Sequence, residues 1–183
     1  MTVLEAIQKR RSVRKYRPDS VPEEVLRRVL EAARLAPSGK NLQPWRFILV
    51  RSAETKERLA RASADQTFIA EAPLVVVACA DPESSYARMG RYMKSWTVDV
   101  ACALEHLMLQ AAAEGLGTCW IGAFEEGAVK ALLDVPDGIR VLALTPLGYP
   151  ADDPDFGGRK RLEEIVFYER YGSFKTSNSS RWK

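Results

Sequence analysis

The sequence predicts an α+β fold in one domain spanning 1–183. Segments of helical period are mixed with short apolar runs along the whole chain, and no internal repeat, low-complexity tract or linker interrupts them. The run at 74–80 is continuous rather than alternating, as a strand reads when helices cover both faces of its sheet.

Each element has its own signal. Thr2 and Glu5 have capping-box spacing, and Val3, Leu4 and Ile7 fall on one face of a first helix that ends at Arg10 and Arg11. Ser20, Pro22, Glu23 and Glu24 start a second helix, whose Val25, Leu26, Val29, Leu30 and Ala33 repeat with helical period until Pro37. Trp45 to Val50 reads as a short strand, Ser52 caps a charged helix to about Ala62, and Leu74 to Ala80 is a clearer strand. Thr97 to Ala113 is nearly all apolar, broken by the acidic Asp99 and Glu105, and stops at Gly115; it predicts a central buried helix. A short helix near Glu126 to Leu133 and a strand from Arg140 to Leu147 follow, then a loop rich in Pro, Asp and Gly. The end of the chain is polar, with Tyr171, Phe174 and Trp182 spaced through it.

Composition excludes several function classes. With 46% hydrophobic and 28% charged side chains, 183 residues suffice to bury a sizeable core. The formal net charge is only +3, with both signs interspersed, so no nucleic-acid partner is expected. The first residues carry no leader pattern and no segment has the length of a bilayer span, which predicts a cytoplasmic protein without membrane contact. Cys79, Cys102 and Cys119 are odd in number and lack CxxC spacing; buried thiols are expected, with no metal site.

Four segments carry chemistry. Arg10, Arg11, Ser12 and Arg14 place three guanidinium groups and a hydroxyl where a helix gives way to loop, a donor set suited to phosphate. Read alone, it is equally a solvated basic helix end. Pro37, Ser38, Asn41 and Gln43 lie in a segment dense in backbone-shaping residues, and the two amides match the donor and acceptor edge of a heterocycle. In 115–122, glycines permit close backbone approach beside Trp120, Ile121 and Gly122, but their spacing is not a dinucleotide fingerprint and they follow a helix, not a strand. Arg159, Lys160 and Arg161 form a late basic triplet that could return to the same anion.

Taken in this order, the four segments resemble the nitroreductase family of FMN enzymes, and the match covers most of the chain. The resemblance implies a central, mainly antiparallel sheet flanked by helices, and an intertwined homodimer with FMN at the subunit interface. It assigns Arg10, Arg11, Ser12, Arg14, Arg159 and Arg161 to the FMN phosphate and ribityl chain, with Lys160 able to replace either late arginine. It brings Pro37, Ser38, Asn41 and Gln43 to the flavin from the other subunit, and lays Trp120, Ile121 and Gly122 along the isoalloxazine. Residues 168–183 would be an arm wrapping the partner.

No protein acid or nucleophile stands out. His106 is the only histidine, it lies inside an apolar helix, and there is no G-x-S-x-G elbow. A flavin removes the need for one, because the cofactor carries the hydride. The expected cycle is ping-pong: NADH or NADPH reduces FMN and leaves, then a nitroaromatic, quinone or similar planar acceptor takes its place. Tyr86, Met89 and Tyr92, between Glu83 and Trp96, are the candidate acceptor contacts. Dehalogenating and flavin-fragmenting branches of the family are the alternative, although Glu83, Tyr86 and Lys94 do not have the spacing of the dehalogenase lid. A non-catalytic flavin-binding module is a further alternative.

Overall fold

The apolar run becomes one of the two inner strands of a four-stranded antiparallel sheet. The computed structural model describes residues 1–155 and 157–174. Strands β1 (Trp45–Val50), β2 (Leu74–Ala80), β3 (Gly117–Thr118) and β4 (Arg140–Gly148) lie in the order β1-β2-β4-β3. Side chains along β2 divide strictly by parity. Leu74, Val76, Ala78 and Ala80 enter one core with helices α2 (Glu23–Arg34) and α5 (Trp96–Ala113). Val75, Val77 and Cys79 enter another with α3 (Ala53–Ala62), α4 (Phe68–Glu71) and α6 (Glu126–Leu132). Both faces are thus covered, which is why the strand tolerates no polar residue.

The helices form where their signals stand. Thr2 and Glu5 close the capping box of α1 (Val3–Lys9), at 2.7 and 3.3 Å. Of that helix only Ala6 is buried; Val3, Leu4 and Ile7 stand exposed, so this chain does not cover the apolar face. Helix α2 buries Leu26, Val29 and Ala33 against α5, and Ser52 caps α3. Helix α5 fills the main core with Val100, Ala103, Leu104, Leu107 and Ala111. It begins one residue earlier than its apolar pattern, at Trp96.

Some features differ from expectation. The four-residue helices α4 and α7 (Leu162–Ile165) are too short for a period to declare them. Cys79 and Cys119 are buried as expected, but Cys102 is only half-buried, packed at the margin of the main core. In the C-terminal stretch, Phe167 packs on Tyr171 and Phe174 with ring centroids 4.8 and 5.2 Å apart, while Tyr171 and Phe174 remain exposed. The rest of the expected arm, 175–183 with Trp182, lies outside the described residues. Among the described residues no helix is long and apolar enough to cross a membrane.

Candidate functional site

Leaving α1, the chain runs as an arch along the outer edge of β3. Ser12 bridges Thr118, and the Val13 N–H donates to the Thr118 carbonyl at 2.9 Å. Val13 is buried against Gly117, where a Cβ would lie 2.6 Å from Val13 Cγ2, so only glycine lets the arch approach this closely. Tyr16 pins the far side: its buried hydroxyl donates to the Val13 carbonyl at 2.8 Å, and burial pushes its ionisation far above the ordinary range. Fixed at both ends, the arch presents Ser12 and Arg14 outward. Arg14 lies 5.9 Å over the Phe68 ring.

The edge strand itself is interrupted for a specific reason. Gly117 pairs with Gly148, Thr118 with Leu147, and Ile121 with Leu144, all in one register. That register sets Cys119 opposite Pro146, which has no N–H to donate. The donor missing there is the one that would face the Cys119 carbonyl, while the Cys119 N–H donates to the Thr145 hydroxyl at 3.2 Å and Trp120 is left exposed beside Gly122. Burial raises the Cys119 thiol, opposed by Arg14, by a hydrogen bond with Ser12 and by Arg10. The sequence signals at 10–14 and 120–122 therefore meet in one place.

A cleft of about 330 Å³ opens beside the arch, between Arg10, Arg11 and Gly115–Thr118 on one side and Asp152 and Asp153 on the other. Residues 149–151 run alongside 15–17 through the Arg17 to Tyr149 and Ala151 to Lys15 backbone bonds, each 2.9 Å, so the chain sets out toward the late basic triplet from beside the arch. Arg159, Lys160 and Arg161 are exposed. Arg159 donates to the Gly157 and Gly158 carbonyls, and Arg161 pairs with Glu164 at 3.4 Å, so both engage their own segment.

Pro37, Ser38, Asn41 and Gln43 form a second arch, around a 3-10 turn at Gly39–Asn41. Lys40, Asn41 and Gln43 all have positive φ, at 52°, 58° and 50°, a conformation that costs about 1–2 kcal/mol for a residue with a Cβ. Local bonds hold it. Ser38 Oγ accepts from the Gln43 N–H at 3.0 Å, and the Gln43 amide donates to the Asn41 carbonyl and side-chain oxygens at 3.1 and 3.2 Å. Of the acceptor candidates, Tyr86 joins this arch, with Lys40 Nζ 5.1 Å from its ring. Met89 and Tyr92 lie in a tight turn closed by the Met89–Met93 bridge, Tyr92 fully in solvent. Glu83 and Lys94 form an ion pair.

The two arches occupy diagonal corners of the sheet. Trp45, just after the second arch, pairs with Ala80 at one end of β2, whereas Thr118 pairs with Leu147, which pairs with Leu74 at the other end. Three strand spacings and the length of β2 between these corners give a diagonal of about 24 Å. Within one chain the two arches stand apart.

Sequence reasoning missed Ser95 and Asp99, which anchor the second arch, and Tyr16 and Thr145, which shape the first. Asp99 had a signal, a lone carboxylate in the first turn of an apolar helix; Thr145 had none, since its role depends on register.

Comparison with known proteins agrees with this architecture. The Nitroreductase family model matches residues 7–97 and 65–149. An NADH dehydrogenase of Thermus thermophilus is 36% identical over 189 residues, covering 87% of this chain and 92% of that protein. The crystal structure of a nitroreductase family protein from Clostridium novyi NT superposes with a TM-score of 0.78 at 37% identity, covering 95% and 97% of the two chains. An FMN-dependent nitroreductase from Clostridium difficile R20291 gives 0.81 at 29% identity, covering 92% and 99%. Similarity extends to the iodotyrosine deiodinase of Thermotoga neapolitana, 27% identical with 89% of this chain and 95% of that protein covered.

Proposed function

The chain belongs to the nitroreductase family, and from that premise we propose that it is an FMN-dependent oxidoreductase passing hydride from NADH or NADPH to a small planar acceptor, such as a nitroaromatic or quinone. The observation that carries the reading is the docking of the arginine arch on the interrupted edge strand, which sets phosphate-binding forks beside a glycine-bearing, partly exposed backbone. Direct recognition of one terminal phosphate by arginine suits FMN better than FAD.

When bound, FMN supplies the centre that accepts and then donates hydride. The chain's own residues bind and orient. Arg10, Arg11 and Arg14 offer planar forks to the phosphate, and Arg159 and Arg161 would join them on leaving their local partners; Ser12 offers a hydroxyl to the ribityl chain. Trp120, Ile121 and Gly122 line the ring. Pro37, Ser38, Asn41 and Gln43 reach it from a second copy, because in their own chain they stand a sheet diagonal away. The exposed Val3, Leu4 and Ile7 supply apolar area for that homodimer of single-domain subunits working in the cytoplasm. A donor and an acceptor that take turns at one binding place would give ping-pong kinetics and would need no protein base.

An absorbance spectrum of the purified protein, with the cofactor released and identified, before and after anaerobic NAD(P)H, tests this. Bound FMN that bleaches and is reoxidised by a quinone supports the reading; a colourless protein that also takes up no added FMN refutes it. Intersecting rather than parallel steady-state lines remove the ping-pong order. The Glu83–Lys94 pair beside Tyr86 favours a second reading, reductive dehalogenation of a phenol, which release of halide from iodotyrosine would identify.

A further inference from the structure

One buried carboxylate joins the second arch to the acceptor segment. Asp99 is 4% exposed, and its Oδ1 accepts from the Gly39 N–H at 2.9 Å. Its Oδ2 accepts from Ser95 Oγ at 2.6 Å, and Ser95 is 2% exposed. Ser95 in turn clasps the Tyr86 peptide on both sides: its N–H donates to the Tyr86 carbonyl at 2.9 Å, and its Oγ accepts from the Tyr86 N–H at 3.1 Å. Gly39 and Tyr86 are in direct contact, since a Cβ at Gly39 would stand 2.7 Å from Tyr86 Cβ. A carboxylate inside an apolar helix is unfavourable unless its oxygens are satisfied, and here both are spent on backbone or on a side chain that holds backbone.

We propose that Asp99 is a positioning residue of this site, fixing the 38–43 arch and the Tyr86 peptide as one unit, so that the segment meeting the flavin and the segment meeting the acceptor keep a set spacing. The proposal rests on the functional reading above for what the two segments touch, but the linkage itself does not. Lys40, Asn41 and Gln43 are held at positive φ, so an arch released from Gly39 relaxes. Tyr86 is then displaced with it. Ser95 transmits the constraint in one direction only, since its loss leaves the Asp99 bond to Gly39 in place.

Three variants separate these links. Asp99→Ala removes both; Ser95→Ala frees only Tyr86; Asp99→Asn can keep an acceptor on Gly39 and turn its amide toward the Ser95 oxygen, restoring the geometry with neutral bonds. Amide hydrogen exchange on the holoenzyme should show Gly39 and Tyr86 exchanging about tenfold faster or more in Asp99→Ala, only Tyr86 doing so in Ser95→Ala, and near-normal protection in Asp99→Asn. Correspondingly, Asp99→Ala weakens FMN binding and raises acceptor KM, each about tenfold, whereas Ser95→Ala raises acceptor KM with kcat and FMN affinity unchanged. Uniform loss of protection with no KM split in Ser95→Ala, or wild-type FMN affinity and protection in Asp99→Ala, overturns the proposal. Should Asp99→Ala fail to fold, the Ser95→Ala split and the Asp99→Asn rescue decide alone. A wild-type protein that binds no FMN refutes the functional reading, while exchange at Gly39 and Tyr86 still decides the linkage.

Discussion

A methyl group at position 117 tests whether the arginine arch is held by close approach to the edge strand. In Gly117→Ala the new Cβ meets Val13 Cγ2, Cβ and Cγ1 at 2.6, 2.8 and 2.9 Å. Val13 is buried and β-branched, so its side chain has no alternative rotamer to retreat into, and the backbone must move instead. Ordinary contact begins near 3.4 Å, so the arch backs away by about 0.8 Å. Overpacking of this kind costs about 1–3 kcal/mol. The same displacement stretches the Val13 to Thr118 bond from 2.9 Å and moves Ser12 and Arg14 with it. Losing one charge-assisted contact's worth of phosphate binding weakens FMN about tenfold. Urea denaturation and fluorimetric FMN titration measure the two effects. The double variant Val13→Gly with Gly117→Ala removes all three clashing carbons, and should return FMN affinity to within about threefold of wild type while stability stays reduced by the lost valine side chain. Wild-type FMN affinity in Gly117→Ala, or no recovery in the double variant, refutes the idea that this contact sets the arch.

Other perturbations follow from the same geometry. Tyr16→Phe leaves the buried Val13 carbonyl without its donor and should lower unfolding free energy by about 1–2 kcal/mol, read as a lower urea midpoint at unchanged slope. Burial holds the Cys79 thiol up to about 11, so the folded protein keeps a proton that an unfolded chain loses near pH ~8.5. This contribution to stability is complete below that pH and is lost as pH rises toward the folded value; Cys79→Ala should therefore flatten the alkaline decline between pH 8 and 10.5, roughly. Leu4→Glu with Ile7→Glu charges the exposed face of α1, and sedimentation should show monomers that bind FMN poorly if that face joins two copies. An unchanged dimer places the interface elsewhere.

Local features were legible in the sequence because their causes are local. The capping box at Thr2, the 26, 29, 33 spacing of α2 and the continuous β2 run each follow from neighbours within a turn or a strand. The order β1-β2-β4-β3 was not, since pairing joins residues far apart in sequence. Arg10–Arg14 and Trp120–Gly122 could be picked out as separate segments, but their meeting depends on the bridge between Ser12 and Thr118. The positive φ values at Lys40, Asn41 and Gln43 escaped notice for a different reason: lysine and glutamine do not favour that region, and only the anchors at Ser38 and Asp99 hold them there. Asp99 read as an interruption in an apolar helix, when it is the group that the arch is tied to.

Under the proposed function, the separation of the two arches constrains the assembly. A second copy that brings its 38–43 arch to the first copy's arginine arch does so, under a two-fold axis, with the reverse contact made at the same time. Two equivalent sites then arise from one interface, each with its phosphate grip from one subunit and its amide-bearing arch from the other. The division has a physical origin in the sheet. Its edges are β1 and the short, Pro146-interrupted β3, and each arch borders one of them, where backbone groups not used by the ladder face outward. Mixing Arg14→Ala subunits with Gly39→Ala subunits should accordingly restore one competent site per mixed dimer, because both defects then fall in the same half-pair and leave the other intact.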